Sequence, residues 1–125
     1  MVKLVILFSR RPEMSQHEFE EYWRNDHAQL VEKLAAALRL RRYVQSRNVH
    51  HGLIAQMVAG RGWSGAADGL VELWWDSEEE MQAAFSSPEG QAASAALAED
   101  EARFCDMSSA TAFLTAENEV FGPTR

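Results

Sequence analysis

The sequence predicts a single α+β domain of order β-α-β-β-α-β with an antiparallel sheet, and three patterns carry that reading. Apolar runs at 2–9 and 69–75 have the length and composition of strands. Two Ser-x-x-Glu boxes, Ser15 to Glu18 and Ser77 to Glu80, each open a segment of helical composition. An alternating run at 104–115 then returns the chain to the sheet. This order is the ferredoxin-like split unit, which lays its helices on one sheet face and leaves the other bare. The bare face draws on Leu70, Trp74 and Phe113, so the expected assembly is a homodimer packed sheet against sheet.

Residues 2–9 are apolar at nearly every position, as suits a strand covered on both faces, and Arg10-Arg11-Pro12-Glu13 ends the run. Met14 precedes the Ser15 cap and is placed to staple onto Phe19, so the first helix starts at Gln16 and is expected to run to Arg39. Residues 40–49, with Tyr43, Val44 and Val49, read as the second strand. Residues 51–68 have no long period and carry Gly52, Gly60, Gly62 and Gly65; they read as an inserted loop with a helical turn near 54–58, acting as a lid or a subunit contact. In 69–75, alternation puts Leu70, Glu72 and Trp74 on one face and Val71, Leu73 and Trp75 on the other. The acidic run Glu78-Glu79-Glu80 fits the first turn of the next helix, where the dipole favours carboxylates. Ser87-Pro88 restarts that helix with proline at its first position, ahead of the alanine-rich 91–102. The domain spans 1–116, with 117–125 as a tail.

A net charge of −7 argues against a nucleic-acid partner, which normally meets a basic stripe. Hydrophobic content of 46% beside 25% charged residues is ordinary for a globular domain, and no apolar run approaches the roughly 18 residues of a membrane span. The first residues read straight into a strand instead of a signal peptide, and a lone Cys105 fits a reducing compartment, so a cytoplasmic location is expected. Cys105 itself sits among strand residues and reads as a packing residue. Arg39, Arg41, Arg42 and Arg47 form a basic cluster, either solvated cations around a helix end or a clamp on a carboxylate or phenolate.

The most telling local pattern is Phe19-x-x-Tyr22-Trp23-x-x-x-His27. At about 100° per residue, Trp23, His27, Leu30 and Leu34 fall within roughly 80° of Phe19, while Tyr22 lies about 60° to the other side. His27 therefore faces inward. An unpaired imidazole there costs about 1–3 kcal/mol, so it is either tied to a partner or set against a water-filled pocket. In the second case a neutral imidazole is the side chain best fitted to move a proton near neutral pH. Tyr22 is either a core ring with its hydroxyl at the rim or a donor to a developing enolate oxygen, and Asp26, at the edge of the stripe, is placed to orient His27 only indirectly, since neighbours in sequence do not face each other. Glu72, sheltered on a sheet face, is either an ion-pair partner of a second-strand arginine or a second acid/base group. Trp23, Trp63, Trp74 and Trp75 either fill the core or wall a pocket for a flat ligand. His50 and His51, as neighbours on a strand, point apart and do not chelate one ion; with no ligand cluster at metal spacing, no metal is expected. Phosphate-binding glycine loops, a serine nucleophile elbow and His-Glu-x-x-His are all missing, so nucleotide and flavin use are not supported.

The pattern Arg10-Arg11-Pro12 before a capped helix, then Phe19-x-x-Tyr22-Trp23-x-x-x-His27, resembles the EthD family of dimeric α+β barrel proteins. The likeness continues through Arg42-Tyr43-Val44-Gln45, through Asp68-Gly69-Leu70-Val71-Glu72-Leu73-Trp74-Trp75 with Ser77 after it, and through Asp100-Glu101-Ala102-Arg103-Phe104-x-Asp106. It covers nearly the whole chain apart from the glycine-rich loop and the tail. The resemblance implies a dimeric ferredoxin-like fold with a pocket between sheet and helices in each subunit. The wider superfamily includes cofactor-free monooxygenases, polyketide cyclases, muconolactone and methylmuconolactone isomerases, small decarboxylases and dehydratases, and haem-binding branches; EthD itself looks like an accessory protein of ether breakdown. Joined to the residues above, the resemblance implies a cofactor-free enzyme that shuttles a proton on a cyclic or aromatic oxygenated metabolite, as an isomerase, cyclase, dehydratase or decarboxylase. In that reading His27, Tyr22 and Glu72 are catalytic, and Phe19, Trp23, Arg42, Tyr43 and Trp74 contact a small hydrophobic or aromatic ligand. The alternatives are a non-catalytic accessory dimer that holds a hydrophobic intermediate and a cofactor-free monooxygenase acting on an electron-rich phenol.

Overall fold

The computed structural model describes residues 1–49, 52–63 and 67–123. Strands β1 (Val2–Arg10), β2 (Arg42–Arg47), β3 (Gly69–Trp75) and β4 (Cys105–Thr115) form one sheet in the order β2-β3-β1-β4, with every neighbouring pair antiparallel. Helices α1 (Gln16–Tyr22), α2 (Ala28–Leu34), α4 (Glu78–Ser86) and α5 (Pro88–Phe104) complete the expected ferredoxin-like α+β fold, and the sheet of the single chain stays open.

Register decides which residues share a face. Leu4, Ile6 and Phe8 pair with Leu73, Val71 and Gly69 on the helix side, where Phe8, Val71, Leu73 and Trp75 join Phe19, Trp23, Phe104 and Cys105 in the core. Tyr43 and Gln45 pair with Leu73 and Val71 and so belong to this face too. Gly69 is required by the packing, because a Cβ there would lie 2.9 Å from the end of the Trp23 indole. Lys3, Val5 and Leu7 pair with Trp74, Glu72 and Leu70 on the opposite face. Trp74 lies on that face as expected but is only 7% exposed, since the Lys3 ammonium and the Arg42 guanidinium sit 5.4 and 4.6 Å from its ring centre. Phe113, by contrast, is 53% exposed.

The Ser15 box forms as read: the Glu18 N–H donates to Ser15 Oγ at 3.0 Å and the Ser15 N–H to Glu18 Oε1 at 2.9 Å. Regular winding stops at Tyr22. Residues Trp23–His27 make a π turn in which the Ala28 N–H reaches back to the Trp23 carbonyl. That carbonyl also accepts from Gln45 Nε2 at 2.9 Å, so strand β2 pins the turn. The extra residue advances the inward stripe by about 100°. Val31 is consequently buried, while Leu30 and Leu34, which an unbroken helix would turn inward, are half-buried.

The regular helix ends at Leu34, short of the expected Arg39. Residues 35–39 continue as turns and close in a Schellman motif, with the Leu40 N–H on the Ala35 carbonyl and the Arg39 N–H on the Ala36 carbonyl. Arg39 occupies the left-handed position at φ 57 that glycine usually takes. The Trp75 indole N–H caps the Leu38 carbonyl at 2.7 Å, which ties this turn to the sheet.

In the inserted segment, a 3₁₀ turn at Gly52–Ile54 leads into α3 (Ala55–Arg61), a longer helix than the single turn expected, and Gly62 ends it at φ 65. No residue of α3 is buried, and Leu53, Met57 and Trp63 are exposed. Ser77 and Ser87 cap α4 and α5, accepting from the N–H groups of Glu80 and Gly90. The described residues after Thr115 form no helix or strand. Among the described residues no helix is long and apolar enough to cross a membrane.

Candidate functional site

The last residue of the π turn, His27, meets Asp100 of α5. Ala93, Leu97, Asp100 and Phe104 recur at helical spacing along one side of α5, so the apolar stripe that packs the helix also carries an aspartate inward. His27 Nδ1 and Asp100 Oδ2 lie 2.7 Å apart, both residues buried at 4% and 5% exposure. The Tyr22 hydroxyl donates to Asp100 Oδ1 at 2.6 Å, and Arg103 donates to the same oxygen at 2.9 Å. Phe104 packs on the imidazole with ring centres 4.9 Å apart.

The electrostatics fix the proton. Burial pushes the Asp100 carboxyl up, but the hydrogen bonds from Tyr22, His27 and Arg103 outweigh it and hold the group below its ordinary value, as a carboxylate. Burial lowers the His27 pKa below its ordinary 6.5 against the opposing pull of Asp100, so the imidazole is neutral at physiological pH. A carboxylate only accepts, so the ring proton of that neutral imidazole stands on Nδ1. Nε2 is left with a free lone pair, and among the described residues no hydrogen bond reaches it. The hydrogen bond to Asp100, above all, raises the Tyr22 phenol, which therefore stays protonated.

His27 opens on a cavity between sheet and helices. Its walls are Ile6, Phe8, Val71 and Leu73 from the sheet with Trp23, Val31 and Phe104 from the helices, and its polar groups are His27, Tyr43, Glu101 and Cys105. The cavity volume is about 40 Å³, room for two or three waters. A groove of about 600 Å³ lies alongside, between α2 and β2, and Val31 and Tyr43 line both spaces. Tyr43 thus stands between groove and cavity; its hydroxyl accepts from Gln45 Nε2 at 3.3 Å, and burial keeps the phenol protonated. Burial likewise pushes the Cys105 thiol far up, so it is no nucleophile at neutral pH.

Of the residues singled out by sequence, His27, Trp23 and Tyr43 meet at this cavity. Tyr22 stands one step behind it, with its hydroxyl committed to Asp100, and Phe19 is fully buried in the adjoining core. Glu72, Arg42 and Trp74 are not brought to His27. Strand alternation sends all three to the opposite sheet face, where Glu72 pairs with Lys3 at 2.9 Å, a first-strand lysine and not a second-strand arginine. The remaining arginines of the cluster pair off too, Arg39 with Glu80, Arg41 with Asp76 and Arg47 with Glu20. His50 and His51 lie outside the described residues. Among the described residues no group of three or more His, Cys, Asp or Glu is placed to hold a metal ion. Asp26 is exposed, and Asp100, absent from the sequence-based candidates, takes the orienting role; the aspartate on the Ala93-to-Phe104 stripe was the available signal.

The EthD domain model matches residues 11–108, and the chain belongs to the EthD family. An EthD (ethyl tert-butyl ether d) family protein from Bacillus halodurans is 25% identical with a TM-score of 0.62, over 94% of this chain and 99% of that one. A dimeric ferredoxin-like protein of unknown function from Bacteroides fragilis is 17% identical at TM-score 0.57, over 91% and 93% of the two chains. SnoaB, a cofactor-independent oxygenase from Streptomyces nogalater, is 13% identical at TM-score 0.57, over 98% and 97%, a likeness of fold alone. No curated protein matches the chain.

Proposed function

We propose that this EthD-family protein is a homodimeric small-molecule enzyme that moves a proton on a cyclic or aromatic oxygenated metabolite without a bound cofactor. One observation carries the reading: Asp100 holds the Nδ1 proton of a buried neutral His27, which leaves Nε2 as a base facing an apolar cavity. Proton transfer needs only such a base and a hydrogen-bond donor, and the chain's own side chains supply both. Tyr22 and Arg103 act as positioning residues through Asp100. The substrate enters by the groove between α2 and β2, and a swing of the Tyr43 ring joins that space to the cavity. The homodimer is supported by the half-exposed Phe113 on the helix-free sheet face and by the dimeric neighbour of similar fold.

His27→Gln and His27→Ala test the reading against a panel of cyclic ketones, lactones and phenols, with proton exchange, product formation and oxygen uptake followed together. Turnover should fall by about 10²-fold or more in both variants, with oxygen uptake at background throughout. Wild-type turnover in a folded variant would make His27 a packed core residue and retire the proposal.

A further inference from the structure

Glu101 takes no part in the pair just described, yet it lines the same cavity. It follows Asp100 on α5, about 100° further round the helix. Asp100 turns to Tyr22, His27 and Arg103, while Glu101 joins Ile6, Phe8, Val71 and Leu73 in the cavity wall. Among the described residues it makes no hydrogen bond or ion pair. The ionisable groups around it are Asp100 on its own helix, His27 on the π turn, Tyr43 on β2 and Cys105 on β4. None of these is a cation in the resting state, and Asp100 is an anion. Burial first, and then the Asp100 charge, push the Glu101 carboxyl up, toward the neutral acid. A protonated carboxyl has an O–H to give, and among the described residues no hydrogen bond takes that of Glu101.

We infer that Glu101 is a second catalytic residue, the acid that protonates the carbonyl oxygen of an enolisable cyclic ketone, enone or lactone while His27 Nε2 takes a proton from the adjoining carbon. This rests on the proton-transfer reading of His27 and names its substrate class. In the forward step the C–H bond breaks and its electron pair forms the C=C bond of an enol. The C=O π pair moves to oxygen, which receives the Glu101 proton. In the return step the imidazolium delivers its proton to a carbon further along the conjugated system, and the Glu101 carboxylate recovers the enol proton. A double bond has moved, both residues are restored, and nothing is oxidised or reduced. Once the Tyr43 ring swings and joins the groove to the cavity, the apolar walls suit a hydrocarbon ring, and a carboxylate on the substrate would meet no cation in the cavity.

Cyclohex-3-enone is the probe, its conjugated isomer followed by ultraviolet absorbance and its α-hydrogens by NMR exchange in deuterium oxide, with wild type, E101Q, E101D and H27Q compared after thermal melts establish folding. Infrared difference spectra of wild type against E101Q report whether the acid is protonated at neutral pH. The expected results are a carboxylic-acid carbonyl band missing only from E101Q, isomerisation lowered by about 10²-fold in E101Q and in H27Q, and partial recovery in E101D. If E101Q isomerises the probe as fast as wild type, or the acid band is missing from wild type, the role of Glu101 is overturned while a loss in H27Q leaves the base standing. Full activity in H27Q overturns the base itself. A wild-type protein that neither exchanges nor isomerises the probe overturns the enolisable substrate class.

Discussion

Replacing Asp100 with Asn separates the electronic role of the carboxylate from its shape. Tyr22 and Arg103 both donate to Oδ1, and His27 donates to Oδ2. The amide keeps one acceptor, and the Arg103 guanidinium holds that oxygen on its own side, because turning it away would set an NH₂ against a cation. The Asn NH₂ then faces His27 Nδ1, and the imidazole meets it by moving its proton to Nε2. The ring stays in place, but the lone pair that faced the cavity is gone. The hydrogen bonds from Tyr22 and His27 lose their charge assistance at about 1 kcal/mol each, while Arg103 is exposed enough to recover water. Destabilisation should therefore be about 2–3 kcal/mol, a fall in Tm of about 10 °C for a chain of this length. Activity should fall far more than stability, by about 10²- to 10⁴-fold. Nitrogen NMR of the imidazole reads the tautomer directly, and differential scanning calorimetry reads the stability. An Asp100→Asn protein that keeps the Nδ1–H tautomer and wild-type turnover would refute the orienting role of Asp100.

Three further outcomes follow from the same geometry. Because the folded pKa of His27 is lowered, the unfolded chain binds its proton first on acidification; stability should fall as pH drops below about 6.5, and His27→Gln should flatten that segment of the Tm-against-pH curve, whereas an identical slope in the variant would mean other groups set it. Gly69→Ala should lower Tm by about 8–12 °C, corresponding to about 2–3 kcal/mol of overpacking against the Trp23 indole, and an unchanged melt would show that the indole shifts freely. Light scattering after gel filtration should give twice the chain mass of 14.1 kDa, and Phe113→Lys should shift the protein toward that monomer mass; a wild-type monomer at micromolar concentration would remove the dimer from the proposal.

The parts of the fold set by neighbours in sequence were legible, and the parts set by distant contacts were not. The capping box at Ser15, the Ser77 cap and the alternation in Gly69–Trp75 involve residues a few positions apart, so the pattern alone places them, although the Glu80 carboxylate turns to Arg39 and leaves the second box half made. The π turn depends on a carbonyl that Gln45 holds from another element, and nothing between Trp23 and His27 announces it. Regular winding would therefore put Leu30 in the stripe that Val31 occupies. His27 was legible as an inward histidine. Its partner was hidden among three consecutive acids, Glu99, Asp100 and Glu101, which differ only in which side of α5 they face. Glu72 stands away from His27 for a reason the sequence itself contains: the alternation that groups it with Leu70 and Trp74 also sets it opposite Val71 and Leu73, the face that meets His27.

The π turn has a consequence for how this site is inherited. A segment that holds one residue more than regular winding requires is the footprint of a single-codon insertion in an ordinary helix. Removing one codon from that stretch would heal the helix and rotate everything beyond it by about 100°, carrying Val31 out of the core. The histidine codon would survive the event, while its side chain no longer met the aspartate on α5. Within a lineage, the His27–Asp100 contact can thus appear or vanish through one insertion or deletion with no substitution at His27. A column of aligned histidines is therefore insufficient to assign the site to a relative; the number of residues between the two halves of the helix has to match as well.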